Sequence, residues 1–75
     1  MDMTFKRATE ILGLPASELA KEFGVKAQTI RQMRLERSAA NYRSPPERWQ
    51  ERLALLARRR GKELVGLIEQ LERHR

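Results

Sequence analysis

The sequence predicts an all-α fold, in which a small bundle of three short helices is followed by one long C-terminal helix. Apolar residues recur at helical spacing in four stretches of the chain. Glycines and prolines separate these stretches, and both residue types mark places where helices end or begin. The 75 residues form a single domain, because a chain of this size buries only about 60% of its unfolded surface and cannot divide one core into two.

Glycine and proline delimit the first two helices. The inner face of the first helix is predicted to consist of Phe5, Ala8, Ile11 and Leu12. Gly13 ends this helix, and the second runs from about Pro15 to Phe23, since proline is accepted in a first helical turn. The inner face of the second helix is predicted to consist of Leu19, Ala20 and Phe23.

The third helix begins near Lys26 or Ala27 and is predicted to bury Ile30 and Met33. No proline or glycine follows at once, so we expect it to continue to about Ser38. Residues 1–38 are therefore assigned to a three-helix head.

Residues 39–44 are predicted to form a linker, partly helical, because they show no clean periodicity. A helix start follows directly. Ser44 is the expected N-cap, Pro45 and Pro46 fit the first turn, and Glu47 stands three residues after the serine. Residues 45–75 are therefore predicted to be a long helix for packing or dimerisation.

The apolar residues of the long helix alternate at spacings of three and four, which is typical of a helix that pairs with another helix. This predicted seam consists of Trp49, Leu53, Leu56, Leu64, Leu67 and Leu71. It is expected to pack on the head, on a second copy, or on both, with Trp49 as an anchor. Gly61 and Gly66 each cost about 1 kcal/mol relative to alanine, so a bend near Gly61 is allowed. Arg60 falls on the seam and is expected to point outward or to pair with Glu63, because an unpaired buried charge is costly.

The charge balance favours a polyanionic partner, such as nucleic acid or an anionic membrane. The chain has a net charge of +6 and a pI of about 10.8. It has no cysteine, which excludes disulfides, cysteine zinc sites and thiol nucleophiles and fits a reducing compartment. No apolar run approaches the roughly 18 residues of a membrane span, and the N-terminal segment lacks the apolar core of a signal peptide. We expect a cytoplasmic protein that does not bind membranes.

The stretch LAKEFGVKAQTIRQMR, from Leu19 to Arg34, has the spacing of a helix-turn-helix motif. Ala20 is followed by Gly24 four residues later and by Ile30 six residues after that. The glycine supplies the left-handed backbone of the turn, and the alanine lets the two helices approach closely.

The sequence LPASELAKEFGVKAQTIRQM, within this region, resembles the Cro/CI (XRE-like) family of phage and bacterial repressors. The resemblance covers roughly Phe5 to Leu35. It implies a compact helical bundle that binds operator DNA as a homodimer, with the second motif helix in the major groove. By position, it assigns contacts with DNA bases to Ala27, Gln28, Arg31 and Gln32.

The chain departs from the family pattern in three respects. Lys26 stands where a serine or threonine usually caps the recognition helix. Arg34 stands where the family often has a glutamate, so it cannot pair with Arg7. The glycine that commonly ends the recognition helix is absent, and the sequence after Leu35 no longer follows the family.

The residue chemistry supports the same interpretation. Gln28, Arg31 and Gln32 share one helix face, opposite the predicted buried residues. Glutamine pairs bidentately with adenine, and arginine with guanine. From residue 26 to residue 43, five cations are opposed by Glu36 alone, which gives a local charge of +4. The predicted phosphate-binding residues are four of these cations and a serine in the first turn of the second helix, namely Ser17, Lys26, Arg34, Arg37 and Arg43.

A second basic group lies on the side of the long helix away from Trp49, and a solvated outer face or contacts with flanking DNA explain it about equally well. It consists of Arg48, Arg52, Arg58, Arg59 and Lys62. His74 is expected to be exposed, and a lone histidine without cysteine makes no zinc site.

The expected function is sequence-specific binding of double-stranded DNA by a transcriptional regulator. Repression is the default direction, since 75 residues leave no separate effector domain. Two copies would bind an inverted-repeat operator with half-sites roughly 34 Å apart. No nucleophile–base pair or phosphate-binding glycine loop occurs, so we expect no enzyme activity, no cofactor, no metal and no small-molecule substrate. The alternatives are a protein-interaction module, antitoxin-like or anti-activator, and a non-specific architectural or packaging factor for DNA.

Overall fold

The computed structural model describes residues 3–73, which form four helices and no strand. The helices are α1 (Phe5–Leu12), α2 (Ala16–Phe23), α3 (Ala27–Met33) and α4 (Trp49–Arg73). The prediction of an all-α fold with three short helices and a long C-terminal helix is confirmed. The expectation for His74 lies outside the described residues. No helix among residues 3–73 is long and apolar enough to cross a membrane.

The turns that join the first three helices depend on glycine, as predicted. Gly13 ends α1 with φ of 71°, and Gly24 ends α2 with φ of 66°, and both angles lie in the left-handed region that glycine adopts cheaply. The N–H groups of Gly24 and Val25 both donate to the carbonyl oxygen of Ala20. This closes the C-terminal end of α2 and redirects the chain into α3.

Substituting the glycines singly by alanine should separate their roles. Gly24→Ala should lower the free energy of unfolding by about 1–2 kcal/mol, because an alanine at positive φ is strained. Gly66 lies inside α4 with open space around it, so Gly66→Ala should raise stability by up to about 1 kcal/mol. Urea unfolding followed by circular dichroism measures both changes. Similar effects from the two substitutions would contradict this account of the turn.

The core lies where α2 and α3 meet α1 and the first half of α4. Leu19 and Ile30 are fully buried at its centre. The other buried apolar residues are Phe5, Ala20, Met33, Leu53 and Leu56. Trp49 packs edge-on against Phe5 with ring centroids 5.5 Å apart, which confirms it as an anchor of α4. Leu53 and Leu56 thus join the long helix to the same core as the head.

One residue of the predicted core was wrong. Ile11 is 62% exposed, whereas Thr9, which the apolar pattern omits, is buried. The Thr9 hydroxyl donates to the carbonyl oxygens of Phe5 and Lys6 at 2.9 and 3.0 Å. Because its polar group is satisfied within α1, threonine can occupy an inward position. Ile11 is turned away from Phe5 and Thr9 by the helical period.

The predicted end of the third helix near Ser38 was also wrong, because α3 ends at Met33. Continuing the helix would require the Glu36 N–H to bond the Gln32 carbonyl oxygen. That oxygen instead accepts from the N–H groups of Leu35 and Arg43, both at 3.3 Å. The chain after α3 is therefore a loop of turns that folds back onto the end of the helix, without the helical content expected for residues 39–44.

The long helix begins later than predicted. α4 starts at Trp49, and Ser44 and Pro45 lie in irregular chain before it. Each of these two residues precedes a proline, which disfavours the helical backbone. The Trp49 N–H donates to the Pro46 carbonyl oxygen at 3.2 Å, and Arg48 has φ of 64°. A tight turn therefore starts the helix, and Ser44 does not cap it. From Trp49, α4 runs continuously through Gly61 and Gly66.

The first half of α4 is also fastened to α2 by arginines, which corrects the interpretation of Arg52 and Arg59 as an outer solvated face. Arg52 donates to the Glu22 carbonyl oxygen at 3.1 Å and lies over the Phe23 ring. Arg59 pairs with the Glu22 carboxylate at 3.0 Å. These contacts align α4 on α2. Both side chains remain exposed to solvent, so the contacts add little stability.

Candidate nucleic-acid interface

α3 has one face in the core and the other in solvent. Ile30 is fully buried and Met33 nearly so. Gln28 and Arg31 are exposed on the other side of the helix, and Gln32 beside them is half-buried. Amide and guanidinium groups therefore project from a helix whose position is held by its buried residues. This is the arrangement by which recognition helices present side chains to base edges.

The four residues assigned to base contacts are not equivalent in the structure. Ala27 is half-buried and packs against the core, so its methyl group lies at the edge of the exposed face. Gln32 also contributes to the fold through its backbone carbonyl, which holds the loop after α3. Gln28 and Arg31 have neither constraint. They are the two members of the set whose side chains are free to reach a ligand.

Backbone hydrogen bonds to Lys26 close the N-terminal end of α3. Lys26 is the N-cap residue, and its side chain makes no capping hydrogen bond, as the departure from the family pattern predicted. The N–H groups of Thr29 and Ile30 donate to the Lys26 carbonyl oxygen at 2.9 and 3.3 Å. The Lys26 ammonium is therefore left exposed at the start of the candidate reading face.

The other predicted phosphate-binding cations surround the C-terminal end of α3. Arg34 is the C-cap residue and is half-buried. Arg37 and Arg43 are exposed in the following loop. The hydrogen bond from the Arg43 N–H to Gln32 brings Arg43 back beside α3. Sequence reasoning included Arg43 by charge alone. No local pattern could place it, because the contact spans eleven residues and depends on how the loop closes.

None of the five cations from Lys26 to Arg43 forms an ion pair within residues 3–73. The four ion pairs formed by the described residues all lie on α1, α2 and α4: Arg7–Glu10, Lys21–Glu18, Arg59–Glu22 and Arg60–Glu63. The last confirms that Arg60 pairs with Glu63. The charge around α3 is therefore uncompensated by nearby carboxylates and is available to an anionic ligand.

Ser17 lies exposed in the first turn of α2, where Pro15 provides no side-chain cap. The N–H groups of Glu18 and Leu19 bond the Pro15 carbonyl oxygen, which leaves those of Ala16 and Ser17 without a helical partner. Glu18 stands in the same turn, and its carboxylate is 3.9 Å from Lys21. A phosphate at this turn would therefore have an acidic neighbour, so Ser17 is a weaker candidate for phosphate binding than the cations around α3.

Within residues 3–73 no group of three potential metal-ligating side chains comes together. No family model matches this chain, and comparisons with curated proteins and with solved structures give no match either. The arrangement of residues around α3 is therefore the basis for assigning a function.

Proposed function

We propose that the protein is a sequence-specific regulator of transcription that binds double-stranded DNA through α3, with repression as the expected direction. One observation carries the proposal. Gln28 and Arg31 project into solvent from a helix whose opposite side, Ile30 and Met33, is held in the core. A short helix that follows α2 across a glycine turn and exposes amide and guanidinium groups fits the major groove.

The proposed division of labour follows from side-chain chemistry. Gln28 and Gln32 read adenine through its N6 and N7 atoms, and Arg31 reads guanine through O6 and N7. Ala27 contacts the edge of a base by its methyl group. Lys26, Arg34, Arg37 and Arg43 hold phosphates on either side of the reading residues, with Ser17 as a further contact. These cations supply most of the affinity, and the reading residues supply most of the sequence preference.

Binding as a homodimer is part of the proposal. A single α3 reads only a few base pairs, whereas two copies related by a two-fold axis read an inverted repeat in successive major grooves, about 34 Å apart. The seam residues Leu64, Leu67 and Leu71 are exposed in the single chain and are available to a partner. The same exposed residues favour a second candidate function, a protein-interaction module that grips a larger partner through α4.

Selection of bound sequences from a random duplex pool tests the proposal. We expect a consensus with inverted symmetry and half-sites one helical turn apart. Affinity for the selected duplex should fall steeply between 50 and 200 mM salt, by roughly 10³-fold or more if six phosphates are contacted. Negligible affinity for every duplex at low salt would leave the protein-interaction module as the better account.

Alanine substitutions at Gln28 and Gln32 separate a sequence reader from a packaging factor. Each should reduce the discrimination between the consensus and its mismatch at one position by about 1–3 kcal/mol. Affinity for unrelated duplexes should hardly change, because these side chains are neutral. A matched control is Gln70→Ala, at an exposed position in the second half of α4, beyond the head. Unaltered discrimination in both α3 variants would support non-specific binding.

A further inference from the structure

α4 has a second apolar seam beside the residues that face the head, and most of it lies beyond the head. We call it the outer seam, and it consists of Ala54, Ala57, Gly61, Leu64, Ile68 and Leu71. The spacing alternates between three and four without a break, which is the pattern of a helix in a coiled coil. Leu64, Ile68 and Leu71 are 47%, 53% and 63% exposed, so no part of the described chain covers them.

The exposed apolar surface around the outer seam is broad. Val65 and Leu67 flank it and are also about half exposed. At its N-terminal end, Ala54 and Ala57 line a shallow apolar groove with Ile11 of α1. Soluble proteins rarely leave contiguous apolar surface of this kind without an interaction partner. The helix therefore presents a face for another element.

The charge distribution along α4 identifies that element and its direction. Residues 58–62 contain four cations and no carboxylate, whereas residues 63–72 contain three glutamates and no cation. In a parallel pair, the +4 segment of one copy would lie beside the +4 segment of the other, and the two would repel each other. In an antiparallel pair, the +4 segment of one copy can instead lie beside Glu72 near the C-terminal end of the other copy. We propose that α4 pairs with α4 of a second copy in antiparallel orientation through the outer seam.

The seam and the charges together define the register. In this register, Leu64 packs on the partner's Ile68 and Gly61 packs on the partner's Leu71, so that each pair forms one layer of the coiled-coil core. Arg58, Val65 and Glu72 recur every seven residues along one edge of the seam. In this register Arg58 faces the partner's Glu72, and Val65 faces its own counterpart near the two-fold axis. Arg58 and Glu72 form no ion pair within residues 3–73, so both are available.

The pairing also accounts for a glycine on the outer seam. Gly61 lies in the interior of α4, where glycine weakens a helix, and nothing in the single chain lies close to the position of an added Cβ. The single chain therefore gives no steric reason for a glycine here. In the antiparallel pair, the missing side chain lets the partner's Leu71 approach the helix backbone.

The arrangement places the two heads at opposite ends of the paired helices. The two-fold axis of the proposed pair passes near residue 66 of each helix, and the head packs on α4 around Leu53. At 1.5 Å per residue, the two heads are roughly 39 Å apart along the helices. This separation is close to one turn of DNA, so the geometry matches adjacent half-sites. The match with DNA half-sites depends on the proposed function, whereas the pairing of α4 does not.

Charge exchange tests the register in the absence of DNA. Sedimentation equilibrium measures the dimer dissociation constant of the full chain. Arg58→Glu alone and Glu72→Arg alone should each weaken the dimer by roughly tenfold, since two attractive pairs become repulsive. The double variant should return to within about threefold of the original protein. Circular dichroism checks that helix content is unchanged. Additive weakening in the double variant, or a monomer at every concentration, would overturn the pairing.

Disulfide trapping tests the direction, and the chain has no cysteine of its own. Glu72→Cys and Arg58→Cys variants, mixed and oxidised, should form a disulfide between the two variants. Glu72→Cys oxidised alone should not, because its two copies lie at opposite ends of an antiparallel pair. Cross-linking of Glu72→Cys to itself, or none in the mixture, would contradict the proposal.

These results are independent of DNA binding. A protein that dimerises as described but binds no duplex would retain the pairing and lose the proposed function. A protein that selects an inverted repeat but fails both dimer tests would retain the function and lose the pairing.

Discussion

Ile30→Ala is expected to lower the free energy of unfolding by roughly 2–5 kcal/mol. Ile30 and Leu19 are both fully buried in the core that α3 shares with the other three helices, and alanine leaves a cavity that the surrounding residues fill only partly. Natural domains have about 5–15 kcal/mol of stability in total, and small ones lie at the lower end. Much of this protein should therefore be unfolded at 37 °C after the substitution.

Ile11→Ala provides the matched control for this prediction. Both changes remove the same atoms from a helix, but Ile11 is 62% exposed. We expect a change within about 0.5 kcal/mol, because exposed substitutions lose little burial and alanine favours the helix. Urea denaturation followed by circular dichroism measures both variants below the concentration at which the chain dimerises. Equal losses at the two positions would mean that Ile11 is buried by contacts other than those described.

The order of the helices and the turn between α2 and α3 could be predicted because they depend on local signals. Gly13 and Gly24 mark chain reversals that require left-handed backbone, and both have it. The spacing of Leu19, Ala20 and Ile30 identifies residues that meet across such a turn, and all three are buried. The candidate reading residues follow from the same spacing, because exposure on α3 is fixed by which side faces the core.

The errors occurred where distant contacts override local propensity. α3 ends where the Arg43 N–H donates a hydrogen bond to the Gln32 carbonyl oxygen, a contact that no window of sequence reveals. The start of α4 was misplaced because the capping pattern at Ser44 outweighed the effect of two consecutive prolines on the residues before them. Thr9 was missed because its hydroxyl bonds within its own helix, which lets a polar residue be buried.

The predicted seam of α4 contains two groups of apolar residues that have different environments in the structure. Trp49, Leu53 and Leu56 pack on the head, but Leu64 and Leu71 belong to the outer seam. The two groups have similar spacing in the sequence, so periodicity alone merged them. The structure separates them, since the head covers the buried side of only the first half of the helix.

If the protein binds DNA as proposed, a charge reversal at Arg31 should have the largest effect of any single substitution on affinity. Arg31→Glu should weaken binding to the selected duplex by about 100-fold or more at 100 mM salt. The variant loses a bidentate contact worth about 1–3 kcal/mol, and it places a negative charge against the bases and phosphates. Arg31 is exposed and forms no ion pair within residues 3–73, so its replacement should leave the fold intact.

Lys62→Glu is the matched control, because it lowers the net charge of +6 by the same two units. Lys62 lies nine residues beyond Leu53 on α4, or roughly 14 Å along the helix, which exceeds the screening length of about 10 Å at this salt concentration. Its effect on affinity should remain below about threefold. Titration of a labelled duplex with a single half-site measures both variants without involving the dimer. Equal losses of affinity would indicate that net charge, and not the α3 face, governs binding. A larger loss for Lys62→Glu would indicate that the DNA-binding surface lies on α4.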